Sequence, residues 1–301
     1  MELHLARWLD ICGTVIRQMT NRIYLIGHPV SHSVSPIFQQ AALDFHSVDA
    51  LYQAIDVDSP SLPKVISHMR YTDVLGANVT VPHKEAVVSM MDIISDEVKA
   101  IGAVNTIENR NGILVGHNTD AIGFSRALGE YEFDPQGKTA LVLGAGGSAK
   151  AVISALVNSG IYRIVIANRT LERALSLVDG IRYSLPHSNA IDIRSSSIGE
   201  IARESDLVVN CTSLGMKGST GEAVLPLQAD GLSADTIVFD LVYNPSQTLF
   251  LTEAATVGAT TVNGLSMLVH QGAASFEIWT GLSGPKNVMM EAAYGALEER
   301  R

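Results

Sequence analysis

Thr139-Ala140-Leu141-Val142-Leu143-Gly144-Ala145-Gly146-Gly147-Ser148-Ala149-Lys150-Ala151 runs from an apolar strand through a glycine cluster into a helix. Ala140 to Leu143 carry no polar side chain, as expected of a strand buried on both faces of a parallel sheet. Val152, Ile153, Leu156 and Val157 then recur at helical spacing. A second strand, Arg163-Ile164-Val165-Ile166-Ala167, follows at the distance a crossover unit needs. Strand, glycine turn, helix and strand together form the context of a dinucleotide-binding fold. The spacing departs from G-x-G-x-x-G, because Ala149 stands at the third glycine position. Alanine is small enough for the helix to pack close to the strand. The candidate phosphate-binding residues are Gly144, Ala145, Gly146, Gly147 and Ser148.

The tip of the second strand bears on which dinucleotide is bound. A free ribose diol is usually held there by an acid, whereas a 2′-phosphate calls for arginine. Here the sequence reads Asn168-Arg169-Thr170, with Arg173 one turn on and no acid at the tip. A guanidinium beside a hydroxyl suits a phosphate, which favours NADP, and Glu172 leaves NAD open. Further α/β units follow through Asp206 to Cys211 and Thr236 to Asp240, and Thr260 to Val262 closes the sheet. A long apolar helix starts at Gly264 and carries one polar exception, Gln271, which is either a satisfied buried amide or a substrate contact. The final helix spans Asn287 to Leu297. These two helices have no strands to alternate with, so they are expected to pack back onto the first half of the chain.

That first half also alternates strands and helices. Arg22 to Ile26, Leu51 to Val57 and Val74 to Val81 read as strands. Ala103 to Ile107 and Ile113 to Gly116 flank Asn111-Gly112, a strong hairpin signal. Two stretches stand out for chemistry. The loop Gly27-His28-Pro29-Val30-Ser31-His32-Ser33-Val34-Ser35-Pro36 leads into a helix, with Ser35 as the expected cap and Pro36 in the first turn. Backbone N–H groups at a helix start, with Ser33 and Ser35 beside them, suit a carboxylate or phosphate. The second stretch is Gly76-Ala77-Asn78-Val79-Thr80-Val81-Pro82-His83-Lys84. It predicts a strand that becomes a helix at Pro82, with Lys84 in the first turn. The helix dipole disfavours an ammonium there, and a lysine so placed is a candidate proton-transfer group. Further on, Asp120 is placed to cap the helix that begins near Ala121.

Composition bounds the partners. With 31 acidic and 21 basic residues the net charge is -10, which argues against nucleic acid or an anionic membrane as partner. No apolar run is long enough to span a bilayer. Residues 1–20 lack the basic start and clean apolar core of a signal peptide. Leu5, Leu9, Cys12 and Ile16 fit an amphipathic helical extension. Two cysteines, Cys12 and Cys211, offer no disulfide framework and suit a reducing, cytoplasmic compartment. His28 and His32 have ligand-like spacing across a Pro/Ser loop, and no metal is expected.

Taken together these motifs resemble the shikimate dehydrogenase family over roughly residues 23–298, in the family's order. The matching pieces are Gly27 to Pro29 with His32 to Pro36, Gly76 to Lys84, Gly102 to Thr106, Asn118 to Gly123, the glycine loop, Asn168 to Thr170, Asp240 to Pro245, and Gly264 to Gln271. The resemblance implies a two-domain α/β protein with the site in the cleft between the domains. A mostly parallel α/β substrate domain would span residues 21–120, with 265–301 packed back onto it. A Rossmann-type dinucleotide domain would span 121–264. The implied reaction is reversible NADP-linked reduction of 3-dehydroshikimate to shikimate. Lys84 and Asp120 would be the catalytic pair, and Ser33 and Ser35 would hold the substrate carboxylate. Thr80, Asn105, Asp120 and Gln271 would bind ring hydroxyls, with Tyr243 nearby. The cofactor would meet Gly144 to Ser148, Asn168, Arg169, Thr170, Arg173, Leu241, Gly264 and Asp96. The resemblance is compatible with a homodimer.

There are departures from the family pattern. Phe38-Gln39-Gln40 stands where the family often has a His-Asn pair, and His83 stands where phenylalanine often precedes the lysine. Quinate or an amino analogue therefore remains an alternative substrate. A different two-domain dehydrogenase and a non-catalytic NADP-binding regulator are the other classes open to this sequence.

Overall fold

A computed structural model describes residues 21–299. The expected amphipathic extension of residues 1–18 lies outside the described residues. The described residues open with β1 (Asn21–Gly27), α1 (Ser35–Phe45), β2 (Ala50–Asp56), α2 (Leu62–His68) and β3 (Val74–Val79). It continues through β4 (Ile93–Ile94), α3 (Asp96–Ile101), β5 (Thr106–Arg110) and β6 (Ile113–His117). These strands form one sheet in the order β2-β1-β3-β5-β6-β4. β1 runs parallel to β2 and β3, β5 is antiparallel to β3 and β6, and β4 is parallel to β6. The β5–β6 hairpin turns at Asn111 and Gly112, both at positive φ (54° and 90°), as the Asn-Gly pair requires. The two-residue β4 is too short to leave a pattern in the sequence.

α4 (Asp120–Gly129) leads into the second sheet. Its elements are β7 (Thr139–Leu143), α5 (Gly147–Asn158), β8 (Arg163–Asn168), α6 (Leu171–Ile181), β9 (Asn189–Asp192) and α7 (Ile198–Arg203). β10 (Leu207–Asn210), β11 (Ile237–Asp240), α8 (Leu249–Thr256) and β12 (Thr260–Asn263) complete it. All neighbours in the order β12-β11-β10-β7-β8-β9 are parallel. In β7, Ala140 and Val142 pack with α4, α5 and α6, whereas Leu141 and Leu143 pack with Phe250 and Leu251 on the other face. A period-2 strand buried on both sides gives the apolar run seen in the sequence. Strand order reverses at β7, between β8 and β10, and this is where open α/β sheets form a ligand crevice.

α9 (Leu265–Thr280) and α10 (Lys286–Glu298) close the chain. Leu265, Val269, Phe276, Met289 and Ala293 share a buried cluster with Ile23 and Leu25 of β1 and Phe38 of α1. Trp279 fixes the far end of α9 by donating from Nε1 to the Ile107 carbonyl (2.9 Å).

Glu130, just beyond α4, holds the near end. Its carboxylate accepts from Ser266 Oγ (2.6 Å), from His270 Nε2 (2.9 Å) and from Lys286. Burial would push this carboxyl up, but the hydrogen bonds from Lys286, Ser266 and His270, with the lysine charge, together bring it down to about 2. A carboxyl depressed on folding stabilises the protein above its unfolded pKa, and the gain is lost as pH falls towards the folded value. Glu130→Gln is therefore expected to lower Tm by about 2–4 °C at pH 7, a screened pair being worth about 1 kcal/mol. The gap to the parent should close between pH 4.5 and about 2. Melting curves across that range check this, and a gap that does not change with pH would rule out the ionic contribution.

Candidate active site

Lys84 does not start a helix. The segment after β3 turns through Pro82 to Glu85, and a 3₁₀ helix begins only at Ala86 (Ala86–Met90). The Lys84 carbonyl accepts from Val104 N–H (2.8 Å), so it is not free to accept from a following turn. No helix dipole therefore acts on this lysine, contrary to expectation. His83, the departure from the family pattern, is 1% exposed and anchors the turn through Nε2 to the Val57 carbonyl (2.6 Å). This anchor leaves Lys84 pointing across to α4, where Nζ lies 2.5 Å from Asp120 Oδ2. The pair is sheltered, with side chains 13% and 6% exposed.

Asp120 does not cap α4 either. Thr119 occupies the cap position without a side-chain cap hydrogen bond, and Asp120 N–H donates to Asn118 Oδ1 (3.0 Å). The carboxylate is thus left to face the site, accepting from Lys84 on one oxygen and from Asn105 Nδ2 (2.8 Å) on the other. Asn105 precedes β5 and does not lie in the strand expected over Ala103 to Ile107. Its Oδ1 accepts from Thr119 N–H (2.8 Å) and Thr106 Oγ1 (3.0 Å). A backbone donor on the oxygen fixes which way the carboxamide points, so its NH₂ faces Asp120. Gln271, on α9, reaches the same cluster, with Oε1 3.2 Å from Asn105 Nδ2. Gly123 makes this approach possible, since a Cβ there would lie 2.7 Å from Gln271 Cβ.

The serine loop also differs from expectation. Val34, not Ser35, is the cap residue of α1, and no side chain caps the helix. Ser33 Oγ instead accepts from Ser35 N–H (3.2 Å), and Ser35 is 5% exposed. A side-chain acceptor two residues upstream competes with helical capping. Thr80 lies at the base of this loop, its N–H on the Ile26 carbonyl (2.8 Å). Tyr243 follows β11 yet packs against the cluster that contains Val34 and Phe38. Buried Asp240 ties that turn together, accepting from Thr248 Oγ1 (2.7 Å), Asn210 Nδ2 (2.9 Å) and Val242 N–H (3.0 Å). Burial pushes its carboxyl up against these bonds. Gln39, the other departure, is fully buried and donates to the Gly272 carbonyl (2.9 Å).

The glycine loop fits a dinucleotide phosphate. Gly144 has φ +110°, a backbone that favours glycine, and abuts the Cys211 carbonyl at the strand switch point. α5 begins at Gly147 without a side-chain cap, so its first N–H groups are available to an anion. A Cβ at Gly146 would meet nothing within 4 Å, and one at Gly147 would lie 3.8 Å from Lys84 Cδ. Loop and lysine therefore lie side by side. Ala145 is buried beneath it, and Ser148 is the second residue of α5. At the tip of β8, Arg169, Thr170 and Arg173 are exposed, and Asn168 Nδ2 donates to the Thr170 carbonyl (2.8 Å). Gly264 touches the Leu241 carbonyl at the ends of β11 and β12. Asp96 stands apart, 92% exposed, with its carboxylate on Lys99 (2.7 Å). The hydrogen bond and charge of Lys99 hold it below the usual carboxylate range.

Family models match in three consecutive stretches. The shikimate dehydrogenase substrate-binding domain covers residues 25–107, shikimate / quinate 5-dehydrogenase covers 127–243, and the shikimate 5′-dehydrogenase C-terminal domain covers 264–294. Shikimate dehydrogenase (NADP⁺) of Symbiobacterium thermophilum is 45% identical over 91% of this chain and 94% of its own. The chain belongs to the shikimate dehydrogenase family. A crystal structure of a shikimate dehydrogenase in complex with NADP⁺ superposes with TM-score 0.86 at 36% identity, covering 96% of this chain and 99% of the other. That of the Thermus thermophilus enzyme with NADP(H) and shikimate gives 0.82 at 38% identity, over 92% and 100%.

Sequence reasoning missed several residues around the Lys84–Asp120 pair. Thr119, Asn78, Tyr52 and Ser275 join the buried polar cluster around Asn105, and Asn118 ties the Asp120 N–H to the Ala103 carbonyl. One signal was available: Ser275 lies four residues after Gln271, on the same helix face. Among the described residues no group of His, Cys, Asp and Glu side chains forms a metal site. None of their helices is long and apolar enough to cross a membrane.

Proposed function

We propose that the chain is an NADP-dependent shikimate dehydrogenase in which Lys84 and Asp120 act as one acid–base unit. The observation that carries this reading is the sheltered 2.5 Å pair opening onto the glycine loop. Residues 21–120 with 265–301 would form the substrate domain and 121–264 the dinucleotide domain. This division is supported by the two separate sheets and by the packing of α9 and α10 on β1 and α1.

NADP would be held by Gly144 to Ser148, by Asn168 to Arg173, and by Leu241 and Gly264, with Asp96 as an outlying contact. In its reduced form it would supply the hydride that reduces the ring carbonyl, and in its oxidised form it would accept that hydride back. Lys84 donates the proton that the forming alkoxide needs, and takes it back in the reverse direction. Asp120 holds the lysine in place and binds a neighbouring hydroxyl. Asn105 keeps the Asp120 carboxylate turned towards the site. Ser33 and Ser35 receive the substrate carboxylate through their hydroxyls, while Thr80, Gln271 and Tyr243 line the ring. Lys84 can be reprotonated from solvent through its 13% exposed side chain. Cytoplasmic residence and a homodimeric state complete the proposal. Fractionation and sedimentation test these two points.

Steady-state rates with shikimate and quinate, each with NADP and NAD, test the substrate reading. The highest kcat/KM is expected for shikimate with NADP, and a higher value for quinate would overturn the choice of substrate. Changing Ser33 and Ser35 together to alanine should raise the shikimate KM roughly 10- to 100-fold, as loss of hydrogen bonds to a charged group implies. The NADP KM should stay near the parent value. A shikimate methyl ester turned over as well as the acid would give the loop another role.

A further inference from the structure

Behind Asn105 lies a chain of buried groups whose protons can be assigned from one end. Tyr52, 4% exposed, has its hydroxyl 2.7 Å from Asn78 Oδ1. Burial pushes this phenol well above its ordinary value, so it keeps its proton and donates. Asn78 Oδ1 is then an acceptor, and Asn78 Nδ2 turns to Ser275 Oγ (3.0 Å), the Asn105 carbonyl (3.1 Å) and Thr106 Oγ1 (3.2 Å). Ser275, on α9, is fully buried and central to a triangle of hydroxyls. It lies 2.8 Å from Thr106 Oγ1, 3.1 Å from Thr119 Oγ1 and 3.0 Å from the Gln271 carbonyl; because Thr106 gives its own proton to Asn105 Oδ1, the serine proton is shared between Thr106 Oγ1 and that carbonyl.

Thr119 is the branch point. Its oxygen accepts from Asn105 Nδ2 (2.9 Å), so its single proton must go elsewhere. Ser275 Oγ at 3.1 Å is nearer than Gln271 Oε1 and Thr106 Oγ1, both at 3.4 Å, and the proton goes to the serine. Asn105 has two amide hydrogens, and Asp120 and Thr119 are its nearer acceptors at 2.8 and 2.9 Å. Gln271 Oε1, 3.2 Å from Asn105 Nδ2, receives only what is left of them.

We propose that Ser275 is a positioning residue: by taking the Thr119 proton it leaves the Gln271 carboxamide oxygen free to accept from a substrate hydroxyl. The proposal rests on the reading of Gln271 as a substrate-binding residue. Without the serine hydroxyl, Asn78 turns its amide hydrogen to Thr106 Oγ1, and of the two oxygens 3.4 Å from Thr119 Oγ1 the Gln271 amide oxygen is a stronger acceptor than the Thr106 hydroxyl; with the Asn105 contact at 3.2 Å, both of its lone pairs are then engaged. The substrate then has to displace an internal hydrogen bond before it binds.

Steady-state kinetics of the full chain with shikimate and NADP, together with a double-mutant cycle, test this. Ser275→Ala is expected to raise the shikimate KM roughly three- to ten-fold, the range of one neutral hydrogen bond. The NADP KM and kcat should stay within about two-fold, because uniform substrate binding is what is lost. In a Gln271→Ala background the Ser275→Ala change should have no further effect on KM, since the oxygen it blocks is gone. Ser275→Cys, close in size but a poor acceptor, should shift KM the same way and guards against a misfolded alanine variant. An unchanged shikimate KM in folded Ser275→Ala and Ser275→Cys proteins would overturn the proposal. So would a KM penalty that multiplies with that of Gln271→Ala, which is the behaviour of a purely structural serine. If Gln271→Ala by itself leaves KM unchanged, the assignment of Gln271 fails and the proposal falls with it.

Discussion

Lys84→Ala is expected to lower kcat by roughly 10²–10⁴, the usual contribution of general acid–base catalysis. Asp120→Ala should fall in the same range, and the double mutant should be little worse than the poorer single mutant. Non-additivity follows from geometry: at 2.5 Å neither group keeps its arrangement once the other is removed. Removing Asp120 also strips Asn105 Nδ2 and Lys84 of an acceptor in a buried setting, at a cost of about 1–3 kcal/mol or more. Asp120→Asn keeps the volume and one acceptor but sets its NH₂ against one of these two donors, so melting curves should accompany the kinetics of both variants. NADP affinity should survive in every case, because the glycine loop and Arg169 lie on the other sheet. A folded Lys84→Ala protein with near-normal kcat would remove the lysine from the reaction.

Arg169→Ala is expected to weaken NADP binding by about 1.5–3 kcal/mol, the range for a hydrogen bond to a charged group. At about 1.4 kcal/mol per factor of ten, that is on the order of 10- to 150-fold. NAD lacks the 2′-phosphate, so its affinity should change far less. The exposure of Arg169 at the β8 tip makes the test direct, because no buried contact is lost with the side chain. Titration of both cofactors against parent and variant decides it, and equal losses would mean that Arg169 does not read the 2′-phosphate. Arg173 is also exposed, on the first turn of α6. It would account for NADP preference retained in the variant.

Much of the architecture was legible in sequence because it is encoded locally. Alternating burial in β7, the glycine turn after it and the apolar face of α5 follow from residues near one another in the chain. The same holds for the Asn-Gly hairpin, whose left-handed residues few other pairs supply cheaply. Candidate site residues could be picked out one at a time, as chemically unusual side chains at element ends.

What the sequence by itself determined, then, was the α/β class, the strand–turn–helix unit for a dinucleotide and the short list of reactive side chains. Tertiary structure decided what those side chains do to one another. Local rules made Ser35 and Asp120 helix caps and put Lys84 in a helix; Ser35 is instead held by its neighbour Ser33, whereas the other two readings failed because a distant partner competed for the same group. The Lys84 carbonyl goes to Val104, the Asp120 carboxylate to Lys84 and Asn105, and Asn78 meets Ser275 across 197 residues. Hydrogen bonds between buried groups depend on distance and direction in space. A pattern of neighbours along the chain carries no record of either.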